Sequence, residues 1–238
     1  MSSDISHIRN LGIIAHIDAG KTSTTEGLLF FSGLTHRYGN IDDGTTVMDF
    51  LPDERARGIT IMAATATIPW RDCEFHLIDT PGHIDFTAEV ERSLRAIDGA
   101  VVIFSAVEGV EAQSEKVWHQ ADSYSVPKIA FVNKMDRIGA SYERVCQEID
   151  GKFGNCALPM MLPDGVESDF KGMVDLLSME YLQFHGERNE ELTRGPVPEP
   201  LRDSCQDART RLIERVGDYS DEIAELYLEG REIPLDLL

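Results

Sequence analysis

The sequence predicts an α/β fold: a mostly parallel sheet with an antiparallel edge strand and helices on both faces, followed by a small α+β subdomain. Three observations predict it. Apolar strand-like runs alternate with helix-period segments over the first 152 residues. Two of those runs follow one another with no helix between them, which places an antiparallel strand at the sheet edge. From about residue 153 the pattern changes to short strands joined by turns. With 238 residues, 42% of them hydrophobic, the chain can bury a core in one main domain and a smaller appendage.

The first strand is predicted over 8–14, where Leu11-Gly12-Ile13-Ile14 is apolar, and the first helix over 20–31. Between them lies Ala15-His16-Ile17-Asp18-Ala19-Gly20-Lys21-Thr22, the Walker phosphate-binding pattern with alanine in place of its first glycine. Strand, loop and helix follow in the order that chemistry needs. A phosphate would sit on the helix N-terminus, where unpaired backbone N–H groups and the helix dipole favour an anion. Lys21 would reach the β- and γ-phosphates and the Thr22 hydroxyl would ligate Mg²⁺. A lone string of this kind also fits an ordinary glycine turn with a solvated lysine. The expected architecture is therefore that of a P-loop NTPase.

From 33 to 60 the chain is polar, with glycine at 33, 39, 44 and 58, and reads as a loop ending in Arg55-Ala56-Arg57-Gly58-Ile59-Thr60. Loops of that length are uncommon unless functional. Thr60 is the residue expected on Mg²⁺ and the γ-phosphate, with loss of that phosphate releasing the loop. The second strand, 61–69, alternates Met62, Ala64, Ala66, Ile68 and Trp70 against Ala63, Thr65, Thr67 and Pro69. Pro69 cannot donate to a ladder and fits an edge position; Trp70 is read as packing rather than as a stacking platform. The third strand, 74–78, delivers Asp79-Thr80-Pro81-Gly82-His83 at its C-terminal end, where open α/β sheets bind ligands. Asp79 would hold Mg²⁺ through water, and the Gly82 N–H would bond a γ-phosphate. His83 falls where a residue would position the attacking water, although a lone histidine after a turn is ordinarily a surface or core residue. A helix is predicted over 84–97.

The remaining elements of the first domain are a strand over 100–105, a helix over 112–124, a strand over 128–132 and a helix over 141–152. Asn133-Lys134-Met135-Asp136 follows the last strand. The Asp136 carboxylate can accept from both N1–H and the N2 amine of guanine, a donor pair that adenine lacks, so the expected nucleotide is GTP or GDP rather than ATP. A polar turn is the alternative for this string in isolation.

Beyond 153, the segments 158–163, 170–177 and 181–184 suggest short strands, and Gly195-Pro196-Val197-Pro198-Glu199-Pro200 is a break. Leu201, Cys205, Ala208, Leu212 and Val216 then recur at helical spacing, and a final acidic helix is expected near 220–230. Its acidic run reads as a solvated face, and Met160 and Met161 as core filler.

Taken together, the strings around Ala15, Glu54-Arg55-Ala56-Arg57-Gly58-Ile59-Thr60-Ile61, Asp79-Thr80-Pro81-Gly82-His83-Ile84-Asp85-Phe86 and Phe131-Val132-Asn133-Lys134-Met135-Asp136-Arg137 resemble the translational GTPases, and among them the elongation factor G family. Phe170-Lys171-Gly172-Met173-Val174-Asp175 is similar to that family's inserted subdomain. The resemblance implies His83 as the water-positioning residue, acting when ribosomal RNA presses on the domain. It implies a monovalent cation near Asp18 and a contact between the inserted subdomain and the ribosomal stalk protein. The domains expected are a P-loop GTPase domain over 1–152, lacking the last guanine-pocket element, and a partial inserted subdomain over 153–238. The family completes its guanine pocket with a later Ser-Ala element, whereas Ser105-Ala106 precedes Asn133; the chain is expected to stop short of that element. Gly27 stands where the family usually has arginine, a choice that costs about 1 kcal/mol relative to alanine inside a helix.

The formal net charge of −20 opposes nucleic acid on its own. No DNA partner is expected, and ribosome contact would use local patches and the stalk protein. Four cysteines without Cys-x-x-Cys spacing read as reduced thiols. No run is long and apolar enough to span a membrane, and Met1-Ser2-Ser3-Asp4-Ile5-Ser6 lacks the basic and apolar runs of a signal peptide, so a cytoplasmic monomer is expected, with the mitochondrial matrix as the alternative location. The expected function is ribosome-stimulated GTP hydrolysis driving translocation. The alternatives are ribosome recycling, a nucleotide-binding fragment without turnover, and an ATPase.

Overall fold

The computed structural model describes residues 5–36, 38–39, 46, 64–79, 92–186 and 190–238. They form two compact units, Met1–Lys134 and Met135–Leu238.

The first unit is built on a five-stranded sheet of order β2-β3-β1-β4-β5. Its strands are β1 (Ile8–Ala15), β2 (Ala64–Trp70), β3 (Cys73–Asp79), β4 (Gly99–Ser105) and β5 (Lys128–Asn133). β1, β3, β4 and β5 run parallel, and β2 lies antiparallel to β3 at the edge, as its sequence predicts. A short 3-10 helix (Ile5–His7) and the helices α1 (Lys21–Phe31) and α2 (Ala112–Ser123) accompany the sheet. Successive residues of β1 feed opposite faces of the sheet. Ile13 and Ala15 join Ala19, Leu29, Ile68, Leu77 and Ile103 on one side. Ile14 joins Leu94, Ile97, Ala100, Ala121 and Val126 on the other. Burial on both faces is why β1 and β4 read as continuous apolar runs rather than alternating ones. Of the helix expected over 84–97, residues 92–94 are helical and 84–91 lie outside the described residues.

Two packing expectations are corrected. Met160 and Met161, read as core filler, are 41% and 43% exposed. Trp70 ends the edge strand 56% exposed, while Ala64 and Ile68 on the same face are buried. The apolar face closes at Ile68, and among the described residues no second layer covers the last edge residue.

Gly27 has a structural reason. It is buried in α1, and a Cβ at this position would stand 3.3 Å from the hydroxyl of Tyr38. That hydroxyl donates to the Ser23 carbonyl at 2.7 Å, and the Tyr38 ring meets Phe30 edge-on at 5.9 Å. The helix-propensity cost of glycine is therefore met by a close seat for Tyr38, which a Cβ would press by a few tenths of an ångström.

The second unit contains α3 (Tyr142–Phe153), a four-stranded antiparallel sheet of β6 (Met161–Asp164), β7 (Gly172–Asp175), β8 (Glu180–His185) and β9 (Glu191–Pro196), then α4 (Arg202–Gly217) and α5 (Asp221–Leu228). Ser141 caps α3 by accepting from Arg144 N–H, and Ser220 caps α5 by accepting from Ile223 N–H. Val174, Leu176, Tyr181, Cys205, Ala208 and Leu212 form the core, which confirms the helical stripe read from the sequence. Gly172 is required in β7, because a Cβ there would meet the Leu182 carbonyl oxygen at 2.4 Å. The sequence reading contained no strand at β9. Glu191 to Arg194 are all exposed, so this edge strand carries no buried alternation to betray it.

Candidate functional site

Ala15, Asp79, Ser105 and Asn133 are the last residues of the four parallel strands, so one edge of the sheet collects them all. β1 is the strand at which the order reverses, with β3 on one side and β4 on the other. A crevice for ligand is expected outside the carboxyl end of such a strand.

The loop after β1 turns through Asp18 at φ 62° and Gly20 at φ 94° before entering α1. Gly20 caps α1 without any side-chain hydrogen bond, leaving the helix's first N–H groups for an anion rather than for a capping hydroxyl. Two side chains from α2 secure the loop: Gln113 accepts the Ile17 N–H at 3.3 Å, and the Ser114 hydroxyl lies 3.1 Å from His16 Nδ1. Asn133 secures it from β5, its side-chain amide donating to the Ala19 carbonyl at 2.9 Å. The sequence reading missed Gln113 and Ser114. They lie almost a hundred residues from the loop, and their type alone carries no signal.

Lys21 and Asp79 form the electrostatic centre. The Lys21 ammonium donates to Asp79 Oδ1 at 2.6 Å, with side-chain exposures of 9% and 0%. Thr22 is buried beside them in the first turn of α1. A lysine, a hydroxyl and a carboxylate thus stand at the entry of one helix and the end of one strand. This donor set fits a phosphate held by Lys21 and a hard divalent cation held by Thr22 and Asp79.

His16 is 2% exposed, and its Nε2 has no hydrogen-bond partner among the described residues. Burial holds its pKa below the ordinary 6.5, against the opposing pull of Glu111 and Glu108, so the ring is neutral. Because the folded pKa is depressed, the unfolded chain takes up this proton first. The stability contribution is complete above pH 6.5 and declines as pH falls below it. Urea titrations at pH 7.5 and 5 are expected to show a smaller acid loss in His16→Asn than in the parent chain.

Lys134 follows Asn133 in a left-handed conformation, φ 61°, and its ammonium pairs with Glu108. Met135 and Asp136 open the second unit, where Asp136 is exposed with its carboxylate 3.9 Å from Arg137. Thr60, Thr80, Pro81, Gly82 and His83, and all but a few residues of the loop expected over 33–60, lie outside the described residues. Ser105 ends β4, as the position of Ser105-Ala106 before Asn133 suggests, and the Ala106 N–H that follows donates to the Asn133 carbonyl at 2.8 Å.

The sequence profile of the elongation factor Tu GTP binding domain matches residues 6–228. The chain belongs to that family. This GTP-binding domain is 49% identical over 229 residues to elongation factor G of Fervidobacterium nodosum, covering 96% of the chain and 33% of the relative. It is 50% identical over 234 residues to elongation factor G of Petrotoga mobilis, covering 98% of the chain and 34% of that relative. A crystal structure from Thermus thermophilus superposes with a TM-score of 0.88 at 28% identity, over 98% of this chain and 34% of that one. The GTP-binding domain thus spans about a third of the length of the relatives it matches. Among its described residues, no helix is long and apolar enough to cross a membrane.

Proposed function

We propose that this chain binds and hydrolyses GTP as the nucleotide-driven part of an elongation factor G-type protein acting in ribosomal translocation. The observation that carries the reading is the gathering of Lys21, Thr22, Asp79 and Asn133 at one sheet edge around an uncapped helix N-terminus. Lys21 and the first N–H groups of α1 hold the β- and γ-phosphates. Thr22, Thr60 and Asp79, the last through water, are the residues that would hold Mg²⁺, which supplies charge neutralisation on the phosphates when bound. The Asn133-Lys134-Met135-Asp136 turn reads guanine. His83 orients a water for attack on the γ-phosphorus; the bond to the bridging oxygen breaks, giving GDP and inorganic phosphate. Asp18 is the candidate for a monovalent cation. Residues 1–152 make the GTPase module and 153–238 the inserted subdomain, whose partner is the ribosomal stalk protein, in a cytoplasmic monomer.

Base recognition gives the test. Asp136→Asn is expected to weaken GDP on the order of 100-fold and to improve xanthosine diphosphate, because the amide restores complementarity only to the xanthine edge. An unchanged preference, measured by competition against a fluorescent nucleotide, contradicts the reading.

A further inference from the structure

We propose that Glu108 is a positioning residue for the base-reading turn: its carboxylate holds the Lys134 ammonium and thereby strengthens the grip on guanine nucleotide. The proposal rests on the nucleotide-binding reading above and deepens it. Both turns involved are fixed by their own hydrogen bonds. Ser105 is fully buried, and its hydroxyl accepts the N–H groups of Val107 and Glu108 at 3.2 and 3.3 Å. The Gly109 N–H returns to the Ser105 carbonyl at 2.9 Å, and the Ala106 N–H ties this turn to the Asn133 carbonyl. Glu108 is therefore carried on a rigid turn beside the end of β5.

Opposite it, Lys134 adopts a left-handed backbone that disfavours any residue with a Cβ, so its surroundings must compensate. In that conformation its ammonium lies 3.4 Å from both carboxylate oxygens of Glu108. The residue before it grips the phosphate loop through Ala19, and Asp136 follows two positions later. Lysine has a long, freely rotating stem whose ordering opposes binding. A carboxylate that orders the stem in the empty protein removes part of that cost from the binding step. The pair is partly exposed, with side-chain accessibilities of 24% and 38%, so its effect is moderate and sensitive to salt.

The test uses the full chain, Mg²⁺ and GDP as the probe. Glu108→Gln is expected to raise the GDP dissociation constant about three- to tenfold, chiefly through faster release, with the difference shrinking at high salt. Glu108→Asp is expected to retain more of the affinity than the amide. In a Lys134→Ala background, Glu108→Gln should have no further effect, which a merely structural role for Glu108 does not predict. Unchanged affinity in Glu108→Gln, or equal losses with and without Lys134, overturns the proposal while leaving the nucleotide reading intact. A parent chain that takes up no GDP overturns both.

Discussion

Replacing Asp79 with alanine is expected to abolish nucleotide binding and to destabilise the first unit by about 3 kcal/mol, because it removes the carboxylate that holds the buried Lys21 ammonium at 2.6 Å. The figure sits at the lower end of the range for broken buried pairs, since a lysine stem can swing its charge toward solvent. The paired substitution Lys21→Met with Asp79→Asn separates stability from function. It removes both charges at similar volume, so most of the lost stability should return, yet phosphate would lose the Lys21 ammonium and binding should stay absent. Urea unfolding alongside GDP titration checks both statements. A single Asp79→Ala that keeps parental stability would contradict the buried-pair account.

Gly20→Ala is expected to be nearly as damaging for a different reason. Gly20 holds φ 94°, a region that costs a residue with a Cβ roughly 1–2 kcal/mol. Its Cβ would also fall 2.2 Å from the Asn133 amide nitrogen, so Asn133 must abandon the Ala19 carbonyl. Losing that bond adds about 1 kcal/mol. The sum is about 2–3 kcal/mol of stability and at least a tenfold weaker hold on GDP, because the loop after β1 and Asn133 lose their shared contact. Thermal unfolding and nucleotide titration of Gly20→Ala measure the two parts; unaltered GDP affinity would show that the Asn133 clasp is dispensable.

These two sites show what a sequence can and cannot disclose. The parallel strands were legible because burial on both faces writes long apolar runs, as in Ile13-Ile14 and Val101-Val102-Ile103-Phe104. The antiparallel edge was legible from two adjacent strands and Pro69. Trp70 was misread because alternation shows which face a residue points to, not whether anything covers that face. β9 escaped because Leu192 is the single large apolar residue in an exposed edge strand, which leaves no alternation to read. Within the site, Lys21, Thr22, Asp79 and Asn133 stand in strings whose spacing carries their chemistry. Gln113 and Ser114 do not: their contacts exist only once α2 lies beside the loop after β1, and the Glu108–Lys134 pair only once β4 lies beside β5. Gly27 looked like a plain cost in helix propensity until Tyr38 was seen resting against it.

The central claim is that the assembled sheet edge is a guanine-nucleotide site, and calorimetric titration of the chain with GDP and with ADP in the presence of Mg²⁺ tests it most directly. GDP binding at micromolar strength or tighter, about −8 kcal/mol or more favourable, with no measurable ADP binding, is the predicted result. Equal affinity for the two nucleotides, or binding of neither, would contradict it.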